Sequence, residues 1–279
     1  MIESYKWPRF DRWFSGTVES RLRGQFSELR IDGLEHMRRA CAEGSAVLVS
    51  NHTAWWDSLL AIWIGRHTGI DSYAVMDAQN LREHAYFARV GAIGVDLDDP
   101  HDGARLLRYG AKLLRTPRRA LWVYAQGREQ PEQRRPLGFK PGAAGLARLG
   151  RATCLPVALR YVFVRSERPV AYVSIGAPVD LPRDADAAVA AQEAAVEAEL
   201  ARIEADLVLE ADGGTTGYPR FLVEAPSRLD ALMSRLLARL VAPAALRNAT
   251  SDALGPREGS EAPPALAAAA TPANSSRGV

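Results

Sequence analysis

Between residues 45 and 64 the sequence changes character twice. Residues 45–50 (SAVLVS) are a short, β-branched apolar run after Gly44, the pattern of a buried strand. Residues 51–57 (NHTAWWD) follow at once and hold the polar groups, and residues 58–64 (SLLAIWI) read as a helix. A polar cluster between a buried strand and a helix sits at the carboxyl end of that strand, where open α/β sheets bind their ligands.

The same alternation continues. Strands are expected at 72–76, 92–97, 121–125, 153–162 and 170–175, and helices at 81–90, 102–115, 142–149 and 184–210, where Val189, Val196, Leu200, Ile203 and Leu207 form one stripe. Thr116-Pro117 stops the 102–115 helix and Gly213-Gly214 the long one. Alternating strands and helices predict an α/β fold: a mostly parallel central sheet flanked by helices, in a single domain. Two amphipathic helices flank it. Residues 7–22 place Trp7, Phe10, Phe14, Val18 and Leu22 at intervals of three and four with Arg9, Arg12 and Arg21 off the stripe, and residues 228–241 pair an apolar face with Arg228, Arg235 and Arg239. Aromatic and arginine side chains together suit a water–lipid interface, and a stripe of this kind equally suits packing on the chain's own domain. The expected division is 1–38 (helical segment), 39–215 (catalytic domain), 216–248 (basic amphipathic helix) and 249–279, an Ala/Pro/Ser/Gly-rich tail too poor in large side chains to fold.

Composition narrows the function classes. With 35 Lys and Arg against 33 Asp and Glu the net charge is +2, without the basic surplus that points to nucleic acid. Cys41 and Cys154 stand far apart without metal-ligand spacing, which argues for a reducing compartment and against a disulfide framework or a metal site. No apolar run reaches the roughly 18 residues of a spanning helix, and the N-terminus lacks the apolar core of a signal peptide. The expectation is a peripheral protein at the cytoplasmic face of the cell membrane.

Among the five histidines, His52 alone has a carboxylate close by in a strand-to-helix turn, Asp57, five positions on. An imidazole titrating near neutral pH, with a carboxylate fixing its tautomer, is a general base with its orienting partner. The spacing also fits a plain helix cap, with Asp57 capping and His52 a surface polar residue. No serine or cysteine stands in a nucleophile elbow such as G-x-S-x-G, so a base here would activate a substrate hydroxyl directly.

Residues 51–57 resemble the N-H-x-x-x-x-D signature of the glycerolipid acyltransferases typified by 1-acylglycerol-3-phosphate acyltransferase. Three further blocks stand in the family's order: residues 91–96 (GAIGVD), residues 124–129 (YAQGRE) and Leu155-Pro156-Val157, so that the resemblance covers about residues 45–160. It implies His52 as catalytic base and Asp57 as its partner. It also implies substrate contacts from Asn51, Gln126 and Gly127; by position, Arg128 and Lys140, in the stretch after the 121–125 strand, can supply positive charge to a substrate, and Trp55 and Trp56 line a channel or belong to the core. The chain departs from the family at two places. Leu97 follows Asp96 where an arginine is usual, and Gln126-Gly127-Arg128-Glu129 replaces an E-G-T-R block.

The implied activity is O-acyl transfer from acyl-CoA or an acyl carrier protein, a co-substrate and not a cofactor, to a lipid hydroxyl. The acceptor is a lysophospholipid such as 1-acylglycerol 3-phosphate or, given the departures, another lipid alcohol with a glycosylated or hydroxylated head. A non-catalytic lipid-binding protein using the two amphipathic helices is the reading from outside enzymes.

Overall fold

The structure is a computed structural model that describes residues 1–164 and 166–223, all within one unit, Met1–Glu224. In chain order its strands are β1 (Glu28–Asp32), β2 (Ala46–Ser50), β3 (Asp71–Asp77), β4 (Ala92–Val95), β5 (Arg119–Tyr124), β6 (Thr153–Val162), β7 (Val170–Ile175) and β8 (Arg220–Val223). They form one eight-stranded sheet in the order β4-β3-β5-β2-β6-β7-β1-β8. From β4 to β6 every pairing is parallel, whereas β6–β7 and β1–β8 are antiparallel, so the sheet is mixed and mostly parallel.

The helices are α1 (Pro8–Gln25), α2 (Leu34–Glu43), α3 (Trp56–Thr68), α4 (Ala78–Glu83), α5 (Pro100–Leu114), α6 (Gly142–Gly150) and α7 (Ala185–Ala211). They cover both faces, as a parallel sheet requires. Val18 and Leu22 of α1, Met37 of α2 and Leu60 and Ile64 of α3 enter one core; Leu106 and Leu113 of α5, Leu146 of α6 and Val196 and Ile203 of α7 enter the other. On α1, Val18 and Leu22 are buried and Phe10 and Phe14 pack against the core, so most of the aromatic stripe faces its own domain. Trp7 and Trp13 stay exposed, at 49% and 65%.

Strand β2 lies between β5 and β6, with Ser50 level with Tyr124 and Val157. That register brings the residues after Ser50 beside the end of β5 and the far half of β6.

Two stretches depart from the sequence reading. The 1–38 segment, read as helical, also contains β1, an inner strand between β7 and β8. A charged residue masks its apolar pattern: Arg30 is buried in the strand and is compensated by Glu28 at 2.6 Å and Glu210 at 2.6 Å. Buried charges persist only when paired in this way. The helix expected at 81–90 is α4 followed by a 3-10 turn, Ala85–Val90, and α4 is capped by Asp77, whose carboxylate accepts from the N–H groups of Gln79 and Asn80. The helix expected at 228–241 and the tail at 249–279 lie outside the described residues. Among the described residues no helix is long and apolar enough to cross a membrane.

Leu48, fully buried at the middle of β2, carries both the core and the register of the site strand. Leu48→Ala is expected to lower the unfolding free energy by about 2–5 kcal/mol, read from the shift of the urea denaturation midpoint at unchanged slope.

Candidate active site

After Ser50 the chain leaves the sheet and turns back on itself before α3. His52 Nδ1 lies 2.7 Å from Asp57 Oδ2, which also accepts the backbone N–H groups of Thr53 at 2.9 Å and Ala54 at 3.2 Å. Asp57 is therefore not the cap of α3. The cap position is Trp55, without a side-chain bond, and the carboxylate reaches backwards to hold the turn and the imidazole together. Its other oxygen accepts the Tyr161 hydroxyl at 2.5 Å. Asp57 is fully buried, and a buried carboxylate must find donors on this scale to stay in place. Every partner presents a hydrogen to the carboxylate, so the imidazole proton belongs on Nδ1 and Nε2 keeps its lone pair.

Two tyrosines frame the pair. The Tyr124 ring stacks on the imidazole, with centroids 4.5 Å apart and planes 22° off parallel. Burial first, then the Asp57 charge, raises both phenols far above their usual range, so each stays neutral: Tyr124 is an apolar platform and Tyr161 a permanent donor. Tyr161 in turn stacks on Phe26, which meets Trp56 edge-on at 5.4 Å, so an aromatic relay behind Asp57 ties the turn to the end of α1.

The backbone of His52 is clamped from both sides. Its N–H donates to Gln126 Oε1 at 2.6 Å and its carbonyl accepts from the N–H of Gln130 at 2.8 Å. Gln126 then donates to the Leu137 carbonyl at 3.2 Å, while Glu193 of α7 accepts the N–H groups of Gly138 and Phe139. The 126–140 loop is thereby fixed around the histidine. Asn51 performs the same service on the other side: its amide donates to the Leu159 carbonyl at 2.9 Å and accepts the Leu159 N–H at 2.8 Å, extending the β2–β6 pairing past the last strand residue.

His52, with 18% of its side chain accessible, opens on a cavity of about 420 Å³. Of the residues expected from sequence, His52, Trp55, Gly127, Arg128 and Lys140 line it together. Asn51 and Gln126 are buried, at 1% and 6% exposure, with their amides engaged as described, and Trp56 packs behind the turn. Asn51, Gln126 and Trp56 thus build the site from behind. The α6 N-terminus contributes Gly142 and Ala143 to the wall, so the positive end of that helix faces the same space as Arg128 and Lys140. Gly127 has φ 78°, and a Cβ there would meet Leu97 at 2.9 Å and Lys140 Nζ at 3.0 Å; only glycine allows this turn beneath the two side chains.

Sequence reading missed Tyr161 and Tyr124, and also Asp77, Asn80, His84 and Glu129, which complete the polar rim. The group from 77 to 84 follows the carboxyl end of β3, so the strand-end rule was a usable signal for it. For Tyr161, a long way off in the chain, there was none. Val75, Met76, Phe87 and Leu106 give the cavity an apolar side, and Ser58, Met76 and Phe87 also border a narrow apolar recess of about 20 Å³ between α3 and β3. Among the described residues no group of His, Cys, Asp and Glu is arranged to hold a metal ion.

A histidine held by a buried carboxylate at the mouth of a half-apolar cavity, at the carboxyl end of a parallel sheet, can chemically accept a proton from a hydroxyl bound there. The family model described as Acyltransferase matches residues 28–160, a stretch from the start of β1 into β6 that contains His52 and Asp57 together with Asn51, Gln126 and Leu159. Residues 28–160 are thus similar to an acyltransferase domain, and this match supports acyl transfer as the general activity. A comparison with curated proteins found no match.

Tyr161→Phe deletes one donor to the buried carboxylate and nothing else. It is expected to lower kcat about tenfold with KM little changed, and to lower stability by about 1–3 kcal/mol, the range for a hydrogen bond to a charged group; steady-state kinetics and urea titration of the same preparation check both.

Proposed function

We propose that the protein is an O-acyltransferase that moves a fatty acyl group from an acyl thioester to a lipid hydroxyl, with His52 as general base and no acyl-enzyme. The observation that carries this reading is the 2.7 Å contact between His52 Nδ1 and Asp57 in a histidine that lines the cavity. The acceptor hydroxyl gives its proton to His52 Nε2 as its oxygen attacks the thioester carbonyl. The tetrahedral intermediate then collapses, the C–S bond breaks, and the proton on Nε2 passes to the departing thiolate. Asp57 stabilises the imidazolium between those events and holds the ring in register. No side chain needs to become acylated, in keeping with a lining that, among the described residues, holds no cysteine and one serine, Ser58.

The apolar side of the cavity and the recess beyond Met76 and Phe87 suit the start of an alkyl chain. Arg128, Lys140 and the first turn of α6 suit an anionic headgroup, which supports a lysophospholipid such as 1-acylglycerol 3-phosphate as acceptor. A second reading has its own observation. Asp77 and Glu129 share the rim with the two cations, Leu97 lies against Gly127, and Gln126 is turned away from the cavity, so a neutral hydroxylated or glycosylated head is also accommodated. Attachment to the membrane is peripheral, at the cytoplasmic face, through Trp7 and Trp13 with Arg9 and Arg12 on the outer side of α1. Arg21 of the same helix sits 5.6 Å over the ring of Trp55, which is itself part of the cavity wall, so α1 borders the mouth.

His52→Ala is expected to retain less than about a thousandth of the transfer rate while floating with anionic vesicles as the parent does; retained turnover would remove the general-base role. Leu97→Arg separates the two acceptor readings. If the acceptor carries a phosphate, the added guanidinium beside Arg128 is expected to lower KM for that acceptor about tenfold or more, measured on a panel of phosphate-bearing and neutral lipid alcohols with one thioester donor. A neutral acceptor is expected to show no such gain.

A further inference from the structure

Helix α5 carries Arg105, Arg108, Lys112 and, at its C-cap, Arg115, at spacings of three, four and three residues. At about 100° per residue they fall within one narrow stripe, and the stripe is turned away from Leu106, Gly110 and Leu113, which face the core. All four are exposed. Arg105 reaches Asp102 at 3.5 Å, but among the described residues Arg108, Lys112 and Arg115 have no carboxylate within ion-pair distance. Asp102, the one acid of the helix, is buried beneath it. The result is a row of cations about 15 Å long at 1.5 Å per residue, in a protein whose overall charge is nearly balanced.

The row is not isolated from the chemistry. Helix α5 starts two residues after Asp98, just past Leu97, and both Leu97 and Leu106 line the catalytic cavity. A partner lying along the stripe therefore has its near end at the cavity mouth. A lipid surface is the weaker candidate for that partner. The exposed Trp7 and Trp13 lie at the start of and on α1, which packs on the other face of the sheet from α5, and one planar bilayer does not cover both faces of the sheet.

We infer that the α5 stripe is the docking surface for an acidic carrier protein that presents the acyl thioester on a flexible arm, with the arm entering the cavity past Leu97. The inference rests on the acyl-transfer reading above and specifies its donor: a rigid cationic helix recognises the acidic face of the carrier, and the arm delivers the carbonyl to His52. Charge complementarity of this kind acts chiefly on encounter and is weakened by salt.

The test uses the full chain and three donors of one acyl length: an acyl carrier protein, acyl-CoA and acyl-pantetheine, the last without phosphate or protein. The variants are Arg108→Glu/Lys112→Glu and the milder Arg108→Gln/Lys112→Gln, at exposed positions outside the catalytic cavity. The expected result is a fall in kcat/KM for the acyl carrier protein of about tenfold or more in the reversed variant and less in the neutral one. Acyl-CoA and acyl-pantetheine should change by less than about twofold. Raising ionic strength should erase the difference between parent and variants. Equal losses for carrier and CoA donors would assign the stripe to phosphate groups and overturn the inference, as would losses that include acyl-pantetheine. Weaker vesicle flotation of the reversed variant would assign it to lipid and overturn it too. A parent enzyme that turns over acyl-pantetheine but no carrier donor refutes the docking surface alone, whereas turnover of none of the three refutes the acyl-transfer reading itself.

Discussion

The carboxylate of Asp57 is buried completely, and the site is organised around satisfying it. Four donors converge on it: the imidazole of His52, the N–H groups of Thr53 and Ala54, and the hydroxyl of Tyr161. Each donor fixes something different. The two backbone groups shape the turn, the imidazole is held in one tautomer, and the tyrosine links the turn to β6. A carboxylate with fewer partners at this depth would bear a desolvation cost of several kcal/mol and would leave the histidine free to rotate. The orientation of the base and the solvation of a buried charge are therefore one problem with one solution.

The sheet supplies the frame in which that solution is possible. With β2 between two parallel neighbours, the chain beyond Ser50 has β5 on one side and β6 on the other, and both are used. On the β5 side, Tyr124 stacks on the imidazole and Gln126 binds its backbone; on the β6 side, Leu159 pairs with Asn51 and Tyr161 with Asp57. Glu193 of α7 pins the loop that closes the arrangement. The His52–Asp57 turn is thus held from three separate parts of the chain, a form of preorganisation that, under the proposed mechanism, leaves the groups little rearrangement to make.

Charge is distributed according to task. Buried charges, Arg30 and Asp57 among them, are paired and serve the architecture. Exposed charges at the cavity are mixed in sign, with Arg128 and Lys140 facing the same space as Asp77 and Glu129, which moderates the pull on any single headgroup. A row of cations without carboxylate partners among the described residues, Arg108, Lys112 and Arg115, lies on the outer face of α5, on the far side of the sheet from α1. The two outer surfaces are chemically distinct, and the cavity mouth has α1 on one side and the start of α5 on the other.

The sequence by itself determined the alternating α/β architecture, because burial on both faces of a parallel strand leaves an apolar run that needs no partner to be recognised. Strands 153–162 and 170–175 stand where the pattern puts them, and α7 covers its expected stripe. The same local logic drew attention to His52 and Asp57, whose separation is short enough for a single turn to close. Where burial was achieved by pairing charges rather than by apolar residues, local pattern was silent: β1 hid behind Arg30, whose partner Glu210 lies in α7. Only the tertiary structure decided which polar residues face the cavity. Asn51 and Gln126, chosen for their place in a motif, turned out to be spent on backbone groups of other strands and loops, and Tyr161 entered the site from β6. The physical reason is that a buried polar atom is directed by the partner that satisfies it, and here those partners lie up to 108 residues away.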